Sequence, residues 1–327
     1  MKHTTPTPHL LPGLDVQASE PPVRVSLTRA GVTGVQKVIR IAGRSGSDVY
    51  YADIECSVDL DPAQKGVHMS RFPEQFAEAI ENAVHGDAPI VEALAEQIAR
   101  GVLERQGALR SHVSIEARYP VERITPVSGL RTQEITTLLG SATATAAGVR
   151  RAVGVRVRGF NACPCAQGMV RDRASERLSE LGYGGDEQAR ILDAIPIATH
   201  NQRAEATLMV GSHETVEATE LIDIAEASMS APARELLKRP DELYVVELAH
   251  LHPRFVEDSV RLMVAGTAER WPELPDSAFV LARQVNFETI HNHDVVAERS
   301  GLLGDLRHEL AGTGGGKHVT LEGWLAS

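Results

Sequence analysis

Gly159-Phe160-Asn161-Ala162-Cys163-Pro164-Cys165-Ala166-Gln167 lies near the middle of the chain and holds two of its three cysteines. Pro164 fixes its own φ and favours an extended Cys163, so the two thiols leave a stiff backbone in different directions. A disulfide between them would be strained. The stretch therefore holds either two buried, inert thiols or a thiolate that binds a metal or attacks a substrate.

Alternating apolar residues flank this stretch on both sides. The alternation over 153–157 and over 204–208 predicts two strands that pair around the cysteine loop. Beyond them, helical regions are predicted at 216–238 and 255–271, and closing strands at 280–287 and 318–325.

The first half of the chain follows the same plan. Alternation predicts strands within 23–41 and 49–60, and apolar residues at helical spacing predict helices after Ser70 and over 90–102, followed by a strand over 113–117. The small and polar stretch Thr136–Gly148 is interpreted as a domain junction. The predicted division is a disordered or loosely attached tail over 1–22, a first domain over 23–145 and a second over 146–327.

Composition restricts the class of protein. The formal net charge of -11 argues against nucleic acid or an anionic membrane as the main partner, although a local basic pocket for a small polyanion remains compatible with it. The odd count of three cysteines does not suit a disulfide framework and predicts a reducing, cytoplasmic location. Residues 1–22 lack the continuous apolar core of a signal peptide.

Three further segments carry residues with catalytic or ligand chemistry. His200 stands in a polar run just before a predicted strand, where it is either a structural histidine or a functional one. Glu257 and Asp258 begin a predicted helix, where acids are favoured by the helix dipole, but a carboxylate there could also accept two hydrogen bonds from guanine. Glu288 and His291 would share a helix face if their segment were helical. A Cys, His and Glu set is compatible with zinc, iron or manganese.

Taken together, the order of these motifs resembles that of type IB GTP cyclohydrolase I, the metal-dependent branch of that activity. The resemblance runs from about Val23 to the C-terminus. Its seven motifs are Lys65–Phe72, Pro126–Gly129, Cys163–Cys165, His200–Arg203, Leu237–Glu242, Phe255–Asp258 and Glu288–His293.

The resemblance implies an α+β fold of two tandem tunnelling-fold domains, each ββααββ with an antiparallel sheet and helices on one face. It implies a homotetramer without nucleic-acid or membrane partners. It also implies conversion of GTP and water to formate and 7,8-dihydroneopterin triphosphate, the entry to tetrahydrofolate synthesis. The expected cofactor is a divalent metal: zinc, manganese or iron.

Site residues are carried over by motif. Cys163 matches the residue regarded as catalytically important, and Glu257 matches the acid that anchors guanine. The residues expected around the metal are Cys163, His200, Glu242, Glu288 and His291. The resemblance does not say which of them bind the metal directly and which surround its ligands. His200, if it is not a ligand, could shuttle protons during ring opening. The candidates for binding the triphosphate are Lys65, His68, Arg71 and Arg203.

One departure from the family pattern concerns the segment between Cys165 and His200. It is much longer than the short spacer expected and carries a charged run over 171–180. A helical insertion over the mouth of the site would explain its length, whereas a shifted loop would alter the geometry between the cysteine and the histidine. Two alternatives stay open: a nitrile reductase of the same fold, and a noncatalytic purine-binding or metal-binding module.

Overall fold

The computed structural model describes residues 15–43, 46–85 and 90–327. Within these residues, nine strands form one antiparallel sheet in the order β1-β2-β3-β4-β5-β6-β8-β9, with the short β7 paired to β5. The strands are β1 (Leu27–Gly43), β2 (Gly46–Leu60), β3 (Arg110–Ile124), β4 (Arg131–Thr145), β5 (Gly148–Ala162), β6 (Asn201–Gly211), β7 (Ala231–Pro232), β8 (Phe279–Phe287) and β9 (Val295–Leu302).

Helices interrupt the strand order at matching places in the two halves. They are α1 (Arg71–His85), α2 (Val91–Gln106), α3 (Pro164–Glu180), α4 (Gly185–Asp193), α5 (Ala218–Ser228), α6 (Arg239–Leu251), α7 (Val256–Arg270), α8 (Leu303–Leu310) and α9 (Leu321–Ala326). The first half is thus β1β2α1α2β3β4, and the second has two strands, a helical region and two strands, with further helices added. The predicted α+β class is confirmed.

The core lies between the sheet and the helices α2, α5 and α7. One continuous cluster of buried apolar side chains runs through both halves, with Ile54, Leu94, Ile115, Leu208 and Ile222 completely or almost completely buried. The alternation in the strands explains this cluster, since every second side chain points to the same face. The C-terminal α9 packs on the opposite face, in contact with β4, β5 and β8.

The stretch Thr136–Gly148 does not form an irregular junction. Most of it is β4, which pairs with β3 and β5, and a tight turn then leads into β5. Its small residues allow α2 to approach the sheet closely: a Cβ at Gly140 would lie 2.7 Å from Cγ2 of Val91. Close packing, rather than flexibility, accounts for the small side chains. The division into domains at residue 145 stays a prediction.

The helical predictions for the second half were partly wrong. The region predicted as helical over 216–238 ends at Ser228, because Asn161 accepts a hydrogen bond from Ser230 N–H and the chain then pairs with β5 as β7. The segment Leu237–Glu242 begins α6 instead of ending a helix. Pro240 in the first turn, with acids after it, favours a helix start.

The C-terminal strand prediction was also wrong. Residues 318–325 contain α9, and the closing strand is β9, which the sequence analysis missed. Thr320 caps α9 by accepting a hydrogen bond from Gly323 N–H at 3.0 Å, and Trp324 stacks on Phe279 with ring centroids 5.5 Å apart. Capping and aromatic packing outweigh the short apolar alternation.

Part of the predicted N-terminal tail is held by hydrogen bonds. Lys65 N–H donates to the carbonyl oxygens of Gln17 and Ser19 at 3.1 Å, and His68 lies 3.3 Å from Asp15. The rest of that tail, residues 1–14, lies outside the described residues. Within the described part of the chain, no helix has both the length and the apolar character that crossing a membrane requires.

Candidate functional site

Three of the predicted site residues meet at one edge of the sheet. Pairing between β5 and β6 runs to Ala162 and Asn201, so Cys163 and His200 come directly after and before these strands. Pairing between β6 and β8 runs to Arg203 and Phe287, and Glu288 follows. By the strand alternation, all three residues fall on the core-facing side of the sheet.

Cys163 forms the start of α3. Its sulfur accepts a hydrogen bond from Ala166 N–H at 3.5 Å, and Pro164 occupies the first helical turn. Its backbone N–H donates to the His200 carbonyl at 3.1 Å, and its own carbonyl accepts from the Thr199 hydroxyl at 2.7 Å. The insertion after it is helical, as α3 and α4, and the cysteine stays next to the histidine. The positive end of α3 stabilises negative charge on the sulfur.

His200 and Glu288 form a largely buried pair. The Nδ1 atom of His200 lies 3.9 Å from Oε2 of Glu288, with the two side chains 16% and 6% exposed. Neither of these two atoms has a hydrogen-bond partner. Buried polar atoms are rarely left unsatisfied, and such atoms often mark a site for an ion or a water molecule.

This pair fits a metal, although the geometry is incomplete within one chain. A thiolate, an imidazole and a carboxylate are ligand types that zinc and related divalent ions accept. In the described residues, however, no group of three or more Cys, His, Asp or Glu side chains is close enough together to hold an ion.

Glu242 and His291 are both exposed and have no contact with the buried pair among the described interactions. Glu242 lies in the first turn of α6. His291 lies in the turn between β8 and β9, where its ring stacks on His293 with centroids 5.2 Å apart. That turn is not helical, so the proposed sharing of a helix face between Glu288 and His291 does not occur.

Asp241 ties α6 to the same sheet edge. Its fully buried carboxylate accepts hydrogen bonds from the N–H groups of Val127, Ser128 and Lys238 at 2.8–2.9 Å and from the Ser128 hydroxyl at 2.6 Å. Burial alone would raise the pKa of the Asp241 carboxyl, but these hydrogen bonds hold it well below its usual range. The Pro126–Gly129 and Leu237–Glu242 motifs are therefore parts of one structural unit.

Glu257 is exposed in the first turn of α7 and lines a cavity of about 390 Å³ between α7, β9 and α8. Asp258 has a different role: it accepts a hydrogen bond from Phe255 N–H at 3.0 Å and lies 3.1 Å from Arg261. Asp258 thus caps α7 and pairs with Arg261, whereas the expected difference in effect between the two acids stays a prediction. The chain just before α7 is anchored at the Cys163 edge, because Arg254 N–H, two residues before the helix, donates to the Ala162 carbonyl at 3.0 Å.

The four predicted phosphate contacts divide between two places. Lys65, His68 and Arg71 follow the C-terminal end of β2. That end pairs with the start of β3, which pairs with the end of β4, which pairs with the start of β5. These three residues therefore follow a strand end at the sheet edge where β5 begins. Cys163 follows the other end of β5, a strand of 15 residues that spans roughly 50 Å. Only Arg203, on β6, lies near the Cys163 edge. The four cations do not converge within one chain.

Several site-supporting residues were missed by the sequence analysis. The buried Asn161 donates to the Ser259 hydroxyl at 3.0 Å and accepts from Ser230 N–H at 3.2 Å, so it joins β5 to α7. Gln167 donates to the carbonyls of Ile197 at 3.0 Å and His250 at 2.7 Å. Their position in the sequence could have indicated this role, because both residues lie within the cysteine stretch Gly159–Gln167.

Comparison with known families identifies the family of the chain. The family model described as "Type I GTP cyclohydrolase folE2" matches residues 14–297. The chain belongs to this family. The match supports GTP cyclohydrolase activity for this chain, and neither the nitrile-reductase nor the noncatalytic alternative gains support from it.

Curated relatives agree with the family match over nearly their whole length. GTP cyclohydrolase MptA of Methanococcus aeolicus is 42% identical over 305 residues, covering 90% of this chain and 99% of the relative. GTP cyclohydrolase MptA of Haloarcula marismortui is 42% identical over 302 residues, covering 91% and 97%. Among solved structures, uricase from Arthrobacter globiformis superimposes with a TM-score of 0.46 at 10% identity, over 84% of this chain and 93% of the uricase. That likeness is too low to bear on fold or function.

Proposed function

We propose that this GTP cyclohydrolase converts GTP and water to formate and 7,8-dihydroneopterin triphosphate, the first step of tetrahydrofolate biosynthesis. The observation that carries the proposal is the unsatisfied His200–Glu288 pair at the sheet edge where Cys163 begins α3. Hydration of guanine C8 requires a water molecule activated by a base or a metal ion, and imidazole, carboxylate and thiolate side chains at one sheet edge are suited to that task.

The proposed metal ligands come first from Cys163, His200 and Glu288, with Glu242 and His291 in the neighbourhood. When bound, a divalent ion (zinc, manganese or iron) supplies activation of water near neutral pH. The unsatisfied Nδ1 of His200 and Oε2 of Glu288 support this assignment, because an ion would satisfy both atoms.

Proton transfer is assigned to His200 in the case where it is not a ligand. Opening the imidazole ring of guanine requires a proton at the departing nitrogen, and a histidine ring held by a carboxylate is suited to give it. The Glu288 carboxylate, whose Oε2 lies 3.9 Å from Nδ1, would then fix the orientation of the ring.

Guanine recognition is assigned to Glu257. A carboxylate presents two acceptor oxygens, which match the ring N–H and the exocyclic amino group of guanine. The cavity beside Glu257 and the anchoring of the α7 start at the Cys163 edge support this assignment.

A homotetramer is proposed from the separation of the phosphate contacts. Lys65, His68 and Arg71 lie at the opposite sheet edge from Cys163, a distance far longer than a nucleotide. For these residues to contact the triphosphate, they must come from a second copy of the chain. We also propose that the enzyme works in the cytoplasm, in keeping with its three free thiols.

The test uses the full-length chain, stripped of metal and then supplied separately with zinc, manganese or iron. With GTP, the reconstituted protein is expected to release one formate for each pterin formed. The pterin is detected by its fluorescence after oxidation, and mass spectrometry should find three phosphates on it. Absence of formate with every metal would overturn the proposed reaction, and a pterin that lacks the triphosphate would overturn the proposed product.

A further inference from the structure

We propose that an arginine-lined groove, which runs from α5 through the gap between β4 and β5 to the opposite face of the sheet, binds a polyphosphate anion. The groove encloses about 800 Å³ and follows the gap that opens between β4 and β5 beyond the pair Thr137 and Arg156. In a chain with a net charge of -11, six arginines and four glutamates line it. The arginines are Arg118, Arg123, Arg156, Arg158, Arg203 and Arg234.

At the inner end of the groove, the charges neutralise one another. Arg234 lies 2.8 Å from Glu226 and 3.4 Å from Glu134, and Arg123 lies 2.9 Å from Glu226. All four of these side chains are mostly buried. Burial lowers the pKa of Arg234, but the hydrogen bonds and charges of its acidic neighbours outweigh this and raise it. These pairs hold the sheet gap together and offer no free cation to a ligand.

At the outer end of the groove, Arg156 is paired with Glu116, whereas three other arginines are unpaired or only weakly paired. Arg118 and Arg203 are exposed and form no ion pair with any carboxylate of the described residues. Arg158 is 76% exposed and lies 3.6 Å from Glu205, which it shares with Arg156. Exposed pairs of this kind contribute little binding energy and leave the guanidinium accessible.

The strand register places Arg158 between the two unpaired arginines, Arg118 and Arg203. Arg158 pairs with Glu205, so Arg203 is its diagonal neighbour on β6, about 7–8 Å away. Arg118 pairs with Thr137, which pairs with Arg156, so Arg158, two residues further along β5, is about 12 Å from Arg118 between Cα atoms. Arg156 itself is held by two hydrogen bonds to Glu116, at 3.0 and 3.2 Å. Long arginine side chains can converge over such distances.

This spacing suits a chain of phosphates better than a single small anion. Guanidinium groups bind phosphate oxygens through two parallel hydrogen bonds, and three of them along the groove match several linked phosphates. The ligand class follows from the groove alone. Only its source rests on the proposed function: either the triphosphate of the substrate nucleotide or a separate polyphosphate effector.

The binding test is independent of turnover. Inorganic triphosphate is titrated by calorimetry into the full-length chain, the double variant Arg118→Gln/Arg203→Gln, and the control Arg283→Gln, whose arginine is also exposed but already lies 3.5 Å from Glu298. We expect the double variant to bind at least tenfold more weakly, the control within twofold of wild type, and Arg118→Lys/Arg203→Lys to recover part of the loss. Equal melting temperatures would show that all variants are folded.

Kinetics with GTP distinguish the two sources. If the groove holds the substrate's own phosphates, the double variant raises KM at least tenfold with kcat nearly unchanged, and inorganic triphosphate competes with GTP. If it holds an effector, inorganic triphosphate binds alongside saturating GTP and changes kcat of the wild type only. The proposal is overturned if wild type does not bind triphosphate, or if the double variant binds it as tightly. A chain that binds triphosphate in the groove but releases no formate from GTP would contradict the proposed function and leave this site intact.

Discussion

Replacing Asn161 by alanine should destabilise the protein by separating the sheet edge from α7. The Asn161 side chain is completely buried at the end of β5. It donates to the Ser259 hydroxyl at 3.0 Å and accepts from Ser230 N–H at 3.2 Å. No other described hydrogen bond is available to Ser230 N–H, so the alanine variant leaves a buried donor unsatisfied.

The magnitude follows from these two bonds. Each buried hydrogen bond contributes about 1 kcal/mol net, and an unsatisfied buried donor costs about 1–3 kcal/mol more. A total loss of about 3 kcal/mol corresponds to a fall in Tm of about 4 °C for a chain of 327 residues. Thermal unfolding followed by circular dichroism, at one scan rate for all variants, measures this shift.

Asn201 provides the matched control, because it lies on the neighbouring strand, is exposed and makes no side-chain hydrogen bond in the described structure. Asn201→Ala should lower Tm by less than about 2 °C, as ordinary surface substitutions do. A fall of that small size for Asn161→Ala, or equal falls for both variants, would show that Asn161 does not connect the sheet edge to α7.

Three more outcomes are expected. Cys163→Ala should abolish formate release from GTP in a folded protein, and near wild-type turnover in this variant would exclude Cys163 from the mechanism. The control Cys56→Ala replaces a thiol whose pKa burial raises to about 12. It should keep turnover and cost at most a few kcal/mol of stability. Glu257→Gln should weaken GTP binding at least tenfold in calorimetry with metal content unchanged, since a hydrogen bond to a charged group contributes roughly 1.5–3 kcal/mol; loss of metal instead would assign Glu257 another role. Burial raises the pKa of Glu92 from 4.5 to about 7, so its contribution to stability is present below pH 4.5 and is lost as the pH rises through 7. Glu92→Gln should therefore be more stable than wild type at pH 8, by up to about 3 kcal/mol, and about equally stable at pH 4.5. Denaturant titrations measure both differences, and no difference at pH 8 would contradict the raised pKa of Glu92.

Local patterns in the sequence determined the strands on either side of the cysteine stretch and the first two helices. Alternation at 153–157 and 204–208 predicted β5 and β6 and their pairing, because the side-chain period of a strand is visible over a few residues. The family motifs were likewise recognisable in order, and the long segment after Cys165 proved to be the helical insertion that its length suggested.

Local patterns failed where tertiary packing decided between two structures. Residues 318–325 alternate weakly as a strand would, but Trp324 packs on Phe279 and the segment forms α9. The small residues of β4 resembled a linker because composition alone does not show that α2 packs against them.

Only the tertiary structure decided which site residues meet. The sequence supplied Cys163, His200 and Glu288 as candidates, but their meeting depends on the order of β5, β6 and β8 in the sheet and on the register between them. The same register places Lys65 at the far edge, although its motif belongs to the same family pattern as the others. The arginine groove depends on the gap between β4 and β5. Residue types and spacing along the chain are local properties, whereas proximity across strands is set by pairing between segments that are far apart in sequence, and no local pattern encodes it.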